Sequence, residues 1–384
     1  MATTSKIEVQ ERDPLAAIQD LCRNILQSGD IQALLVPQRL RDRGTIMPTL
    51  VTDAAELDQA DPLAPAFPLN SAKLASRLTR GEAERRIGAV LRPCEVRAFV
   101  ELVKLNQGNM EYLLLISPDC FGALPNMRYH SLLREKSIPE VTKDFVQAAQ
   151  NNPEELHREF HLARACTICE HPKAQAADLG ICLAGLDIYQ QILLQAHTAR
   201  GEGILTRMGY EDCPEPPEHE QALDRLVESR RAAGEEVLQA TREASNDLDK
   251  LKEYFSCCVN CYNCRVACPV CYCKECVFAT DVFEHRPSQY LGWANLQGGL
   301  KMPTDTVFFH LTRMAHISLS CVGCGQCSNA CPNEIPVMEL FRSVAQRTQE
   351  AFDYEPGRDP DQPIPLTVFA EQEFEDVVDH LAQT

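Results

Sequence analysis

The chain has 384 residues, 45% of them hydrophobic and 24% charged, and a formal net charge of −18 at pH 7. That length supports two or three domains around sizeable cores, and the acidic balance argues against a nucleic-acid partner, because phosphate binding needs a basic surface. The opening residues MATTSKIEVQERDP lack the apolar segment of a signal peptide, and no run of about 18 apolar residues occurs, so the sequence predicts a soluble cytoplasmic protein with no membrane span.

Residues 14–28 carry Leu15, Ile18, Leu21, Cys22, Ile25 and Leu26 on one face at helical spacing, which predicts a helix. The apolar run IQALLVP that follows reads as a strand. Residues 48–70, with several prolines and little periodicity, read as loop. IGAVLR (87–92) and YLLLIS (112–117) read as buried strands, with a helix in EVRAFVELVKL between them. Strand–helix alternation predicts an α/β domain with a partly parallel sheet. Cys94 and Cys120 both fall just past strand ends, where open α/β sheets place ligands.

Residues 138–165 read as helical and lead into CTICEHPKAQAADLG, which holds Cys166 and Cys169. Residues 200–217, rich in Gly, Pro and acid, read as a linker. Residues 218–255 read as a long amphipathic helix, or a helical pair broken near Gly234. The expected plan is an α/β domain over 1–205, a linker and charged helix over 206–255, a mainly α-helical cysteine-rich domain over 256–345, and an extended arm over 346–384.

Nineteen cysteines need an explanation, and twelve of them lie between Cys257 and Cys331. A reducing cytosol disfavours disulfides, and such clustering points to metal ligation. Cys258, Cys261, Cys264 and Cys268-Pro269 have the spacing C-x₂-C-x₂-C-x₃-C-P, and Cys321, Cys324, Cys327 and Cys331-Pro332 repeat it unchanged. In two-cluster ferredoxins a tight loop supplies three thiolates to one cubane, and the cysteine before proline ligates the other cluster. The expected [4Fe–4S] ligand sets are therefore Cys258, Cys261, Cys264 and Cys331, and Cys321, Cys324, Cys327 and Cys268. Structural zinc is the bland alternative, but its ribbons pair C-x₂-C knuckles rather than triple runs.

Fifty-two residues separate Cys268 from Cys321. Val307, Phe308, Leu311, Met314 and Ile317 in this insert are helically spaced, with Thr304 or Asp305 as a capping residue. Clusters set between helices are expected. CVNCYNCRVACP and CVGCGQCSNACPNEIP resemble the iron–sulfur subunits of heterodisulfide reductases over about residues 256–345. Cys257, Cys271, Cys273 and Cys276 are left over, and a fourth metal site, cluster or zinc, weighs about equally against ordinary buried thiols.

Cys94, Cys120, Cys166 and Cys169 carry little weight on spacing alone. Their surroundings RPCEVRA, SPDCFGALP and CTICEHPKAQAADLG resemble three successive motifs of the beta subunits of deazaflavin-reducing hydrogenase and formate dehydrogenase, over about residues 30–210. The resemblance implies that these four hold one further [4Fe–4S] cluster and that FAD passes electrons to a deazaflavin or nicotinamide-like acceptor. The chain departs from the family in ADLGICLAGLDIYQQ, which reads as more helical and holds an extra cysteine, so no flavin contacts transfer. Cys22, Cys182 and Cys213 read as ordinary buried thiols.

Arg92 and Arg97 flank Cys94 and are candidates to stabilise a reduced cluster or an anionic cofactor phosphate; an ordinary salt-bridge role is the alternative. His171 reads as a solvent-facing loop residue, and His310 and His316 as packing or surface residues. No dinucleotide fingerprint, Walker loop or nucleophile elbow occurs. The function expected is an iron–sulfur electron-transfer subunit working with a catalytic partner such as a formate dehydrogenase, a hydrogenase or a heterodisulfide-reductase-like flavoprotein. A self-contained FAD enzyme and a zinc-binding scaffold are the two alternatives.

Overall fold

A computed structural model describes residues 3–40, 44–80, 86–283, 286–297, 305–365 and 367–368. Its centre is a seven-stranded sheet of β1 (Thr3–Glu8), β2 (Ala33–Leu40), β3 (Thr45–Val51), β4 (Ile87–Val90), β5 (Leu113–Pro118), β6 (Leu179–Cys182) and β7 (Gln191–Ala196), in the order β1-β7-β6-β5-β4-β2-β3. Strands β2, β4, β5 and β6 run parallel, while β3, β7 and β1 pair antiparallel at the two edges.

The parallel centre follows from composition. Every residue of β4, β5 and β6 is buried, as strands covered on both faces must be. Side chains alternate between two cores: Leu114 and Ile116 of β5 face one, and Leu113 and Leu115 face the other. The first core is filled by the helix Pro14–Gln27, whose Asp13 carboxylate accepts from Ala16 N at 3.0 Å, and by the helix Ile138–Asn151. The second holds the helix Pro93–Lys104 and continues without a break into Phe255, Phe309, Leu340 and Phe341 of the cysteine-rich region. The two halves of the chain thus share a core.

Several local expectations change. Residues 48–51, expected as loop, belong to the strand Thr45–Val51, whose backbone pairs antiparallel with β2 in a hairpin. Residues 138–165 form three helices, Ile138–Asn151, Leu156–Phe160 and Arg164–Thr167. ADLGICLAGLDIYQQ is no helix: its first half supplies β6. Ala199–Arg207 is helical, with the Thr198 hydroxyl accepting from Gly201 N at 3.2 Å. The helix Pro217–Glu243 runs straight through Gly234, and the break falls later, before Leu248–Tyr254.

The insert helix is Thr306–Ile317, and Thr304 lies outside the described residues. Its buried face is Phe309, His310, Arg313, Met314 and Ile317, while Phe308 and Leu311 are exposed. The helix is thus rotated from its apolar pattern, and two basic side chains point inward. After the helix Val337–Ala351 the chain returns to the α/β half. Tyr354 Oη donates to Glu101 Oε1 at 2.6 Å, Gly357 N donates to the same atom at 2.9 Å, and Arg97 Nε donates to Pro356 O at 3.0 Å. The part of the expected arm beyond residue 368 lies outside the described residues.

Candidate metal centres

The α/β half brings Cys94, Cys120, Cys166 and Cys169 to one pocket, together with Arg92, His171 and Arg230. Cys94 sits in the first turn of the helix Pro93–Lys104, straight after β4, and Cys120 lies two residues past β5. Strands β4 and β5 are parallel, so both thiols arrive at the same sheet edge. Burial pushes the Cys94 thiol well above its ordinary pKa, and the neighbouring Cys324, Glu95, Cys120 and Cys169 add to that. Cys166 is pushed up to about 12, by burial first and then by Cys120 and Cys169. Thiols packed this way are held apart from water and repel one another as thiolates, a cost that a bound cation removes.

Two arginines face this group. Arg92 Nη1 stands 3.7 Å from Cys120 Sγ and donates to Gly122 O at 3.2 Å. Arg230, on the helix Pro217–Glu243, donates to Phe121 O at 2.8 Å and lies 3.4 Å from Cys169 O. Eleven residues earlier, about three turns along the same helix, His219 Nε2 meets Asp119 Oδ2 at 2.8 Å and its Nδ1 meets Glu215 Oε1 at 2.8 Å. Burial opposes charge on His219, but the hydrogen bonds and charges of Asp119 and Glu215 outweigh it and raise the pKa. The long helix is therefore pinned at two points across the loop that carries Cys120.

In the cysteine-rich region the two motifs fold as structural copies. Asn260 and Tyr262 have φ of 51° and 58°, and Gly323 and Gly325, at the same offsets from the first cysteine, have φ of 69° and 75°. Left-handed geometry costs a side chain roughly 1 kcal/mol or more, so the first motif stores strain that the second avoids. Gly325 is also required sterically, since a Cβ there would lie 2.4 Å from the Cβ of Ala165, next to Cys166.

The thiols of this region form two groups. Cys264 is pushed up to about 11 by burial, lowered by Arg313, and raised by Cys258, Cys261 and Cys331. Cys327 is raised well above its ordinary value by burial and by Cys268, Cys324 and Cys321, against the opposing charge of Arg313. The cysteine before each proline thus stands with the other motif's triplet. Cys324 also lines the cavity of Cys94, so the second group adjoins the one in the α/β half.

The insert helix supplies donors to the first group. Arg313 Nη1 donates to Cys264 Sγ at 3.1 Å, and His310 Nε2 lies 3.5 Å from Cys258 Sγ, its ring stacked on Phe255 at 3.8 Å. Burial and then Arg313 lower the His310 pKa to about 3, so the ring is neutral. His310 is therefore neither surface nor simple packing, and Arg313 had no signal beyond its place three residues along the same helix. His171 is half-buried rather than solvent-facing; burial and then Arg97 and Arg342 lower its pKa to about 2. Arg97 is committed to the carbonyls of Pro356 and Val322 rather than to a phosphate. His316 is exposed.

The leftover cysteines are scattered by comparison. Cys257 and Cys273 are exposed, and Asn333 donates to the carbonyl of Cys257. Cys271 is pushed up to about 11 by burial and then by Cys268, with Cys273 a smaller influence, and Cys276 is half-buried. Cys22 and Cys182 are buried, and Cys213 is half-buried. Among the described residues no three or more His, Cys, Asp or Glu side chains are arranged for a single metal ion.

Each of the three groups offers four soft donors, and a buried N–H beside the first-motif group, Arg313 Nε, has no acceptor among the described residues. That donor set fits a [4Fe–4S] cluster, whose sulfides accept hydrogen bonds. Such a cluster supplies one-electron transfer; the chain supplies thiolates, exclusion of water and positive charge.

The thiol groups and the match of residues 316–337 to the 4Fe-4S binding domain family mark an iron–sulfur protein. The chain is 27% identical over 364 residues to the F420-dependent formate dehydrogenase subunit beta of Methanocaldococcus jannaschii, covering 89% of this chain and 92% of that one. It is 25% identical over 376 residues to the F420-dependent formate dehydrogenase 1 subunit beta of Methanococcus maripaludis, covering 91% and 92%. The resemblance to such beta subunits read from the cysteine motifs thus extends over about nine-tenths of the chain. Among solved structures, a chain of the F420-reducing [NiFe] hydrogenase complex of Methanosarcina barkeri aligns with a TM-score of 0.44 at 13% identity, covering 62% of this chain and 92% of that one. No helix of the described residues is long and apolar enough to cross a membrane.

Proposed function

We propose that the chain is the iron–sulfur, beta-type subunit of an oxidoreductase complex and that it carries three [4Fe–4S] clusters in a relay. Cys94, Cys120, Cys166 and Cys169 hold one; Cys321, Cys324, Cys327 and Cys268 hold the next; Cys258, Cys261, Cys264 and Cys331 hold the third. The observation that carries this reading is contiguity. Cys324 shares a cavity with the first group, and Arg313 neighbours thiols of both ferredoxin groups, which supports a relay through the shared core. The relatives' names point to formate dehydrogenase as the catalytic partner and F420 as the acceptor. FAD, implied by the same resemblance, would serve as the carrier beyond the first cluster. An open cleft that reaches Cys166 and Cys331, lined by Met127, His130 and Glu339, gives a second carrier or partner access there.

The test is anaerobic purification with partners attached, followed by assay of iron, sulfide, zinc and flavin. About twelve irons per chain are expected, four for each cubane, and fewer than about eight would sink the reading. Cys94→Ser and Cys166→Ser should each lower iron by up to four, one cubane's content. Unchanged iron in both would remove the first cluster from the scheme.

A further inference from the structure

The 52-residue insert between the motifs is unexplained by ligation, since none of the twelve proposed ligands lies in it. Its helix Thr306–Ile317 ends just before Cys321 and turns Arg313 into the space between the two motifs. Arg313 is 3% exposed. Its Nη1 donates to Cys264 Sγ at 3.1 Å and its Nη2 to Cys264 O at 3.3 Å. The guanidinium lies over the ring of Phe341 at 4.6 Å and that of Phe309 at 5.7 Å. Among the described residues no carboxylate forms an ion pair with it, and its Nε has no acceptor.

A buried cation without a carboxylate is costly unless other negative charge faces it. The negative charge that faces it is the Cys264 sulfur at 3.1 Å, with Cys268, Cys327 and Cys271 among the neighbouring thiols. Cys264 belongs to one ferredoxin group and Cys268 and Cys327 to the other, so one guanidinium serves both.

We propose that Arg313 is a shared tuning residue that raises the reduction potentials of both ferredoxin clusters, most strongly that of the cluster on Cys258, Cys261, Cys264 and Cys331. The proposal rests on the cluster assignment above. A cluster gains one negative charge on accepting an electron, so a fixed buried cation stabilises its reduced form more than its oxidised form. The direct N–H···S bond falls on the first-motif cluster, and His310 Nε2 lies 3.5 Å from Cys258 Sγ of the same cluster.

The test uses the full chain with its partners, as Arg313→Met and Arg313→Lys. Iron and sulfide are quantified, and each cluster's potential is read by EPR-monitored redox titration. In Arg313→Met the reduced-to-oxidised ratio of the first-motif cluster at a fixed poise should fall on the order of tenfold, a 59 mV shift for one electron. The second-motif cluster should shift less, and the cluster on Cys94 should not move. Arg313→Lys, which keeps the charge, should recover most of the shift. Unmoved ferredoxin potentials in a fully loaded Arg313→Met protein overturn the proposal, as does an equal shift of all three clusters. Should Arg313→Met fail to load, wild-type protein labelled with ¹⁵N-arginine decides by pulsed EPR: a nitrogen coupling on the reduced first-motif cluster is expected, and its absence overturns the proposal. Iron below about eight per chain in the wild type would instead sink the cluster reading itself.

Discussion

Arg230 is the side chain on which the loop of the first thiol group hangs. It is 6% exposed and donates to Phe121 O at 2.8 Å, with Cys120 O and Cys169 O at 3.5 and 3.4 Å. Arg230→Met keeps the aliphatic packing and removes these bonds. The short charge-assisted bond is worth about 1.5–3 kcal/mol, and the two long ones add little. A loss of about 2–3 kcal/mol at tenfold per 1.4 kcal/mol raises local opening of this loop roughly 30- to 150-fold. The assay is anaerobic iron release to a chelator. In Arg230→Met about four irons per chain, one cubane, should leave faster by that factor while the remainder leaves at the wild-type rate. The neighbouring Arg231 is the control: its 2.9 Å ion pair with Glu170 is exposed, and Arg231→Met should leave every phase unchanged. A single wild-type release rate in Arg230→Met, or equal acceleration of all the iron, would refute the clamp.

Asp61 is 1% exposed; its Oδ2 accepts from Thr142 at 2.9 Å and its Oδ1 has no partner among the described residues. Burial, only partly offset by Thr142, Arg39 and Arg92, raises its pKa from 3.8 to about 6. Because the folded value is the higher, its stabilising effect is complete below about 3.8 and is lost as pH rises through about 6, a loss of about 3 kcal/mol. Asp61→Asn should flatten the fall in thermal midpoint between about pH 4 and pH 6.5, and an unchanged slope would contradict this. Cys268→Ser should alter the EPR signal of the cluster on Cys321, Cys324 and Cys327, and Cys331→Ser that of the cluster on Cys258, Cys261 and Cys264; the reverse pattern would show that each motif keeps its own fourth cysteine. Gly325→Ala places a Cβ 2.4 Å from Ala165 and should disturb the signals of both the Cys324 and the Cys166 groups, which a spectrum identical to wild type would disprove.

Much of this protein is legible in the chain itself, because some of its physics is local. Strands buried on both faces must be apolar throughout, so β4 and β5 are evident in IGAVLR and YLLLIS. The two C-x₂-C-x₂-C-x₃-C-P runs carry their loop geometry in their spacing. The hairpin partner β3 is not legible, because Pro48 and the proline-rich stretch after it look like loop and its pairing with β2 comes from the fold. Gly234 looks like a helix break and lies inside the continuous helix Pro217–Glu243. The insert helix shows an apolar stripe that includes Phe308 and Leu311, yet the tertiary structure exposes both and buries His310 and Arg313. Local patterning records what a helix offers to water and to oil; it does not record which charged groups will find sulfur to face. That choice needs segments far apart in the chain: Arg313 meets Cys264 across 49 residues and Arg230 meets Phe121 across 109. The cysteines are therefore written in the sequence, while the cations that face them are chosen only when the chain closes around them.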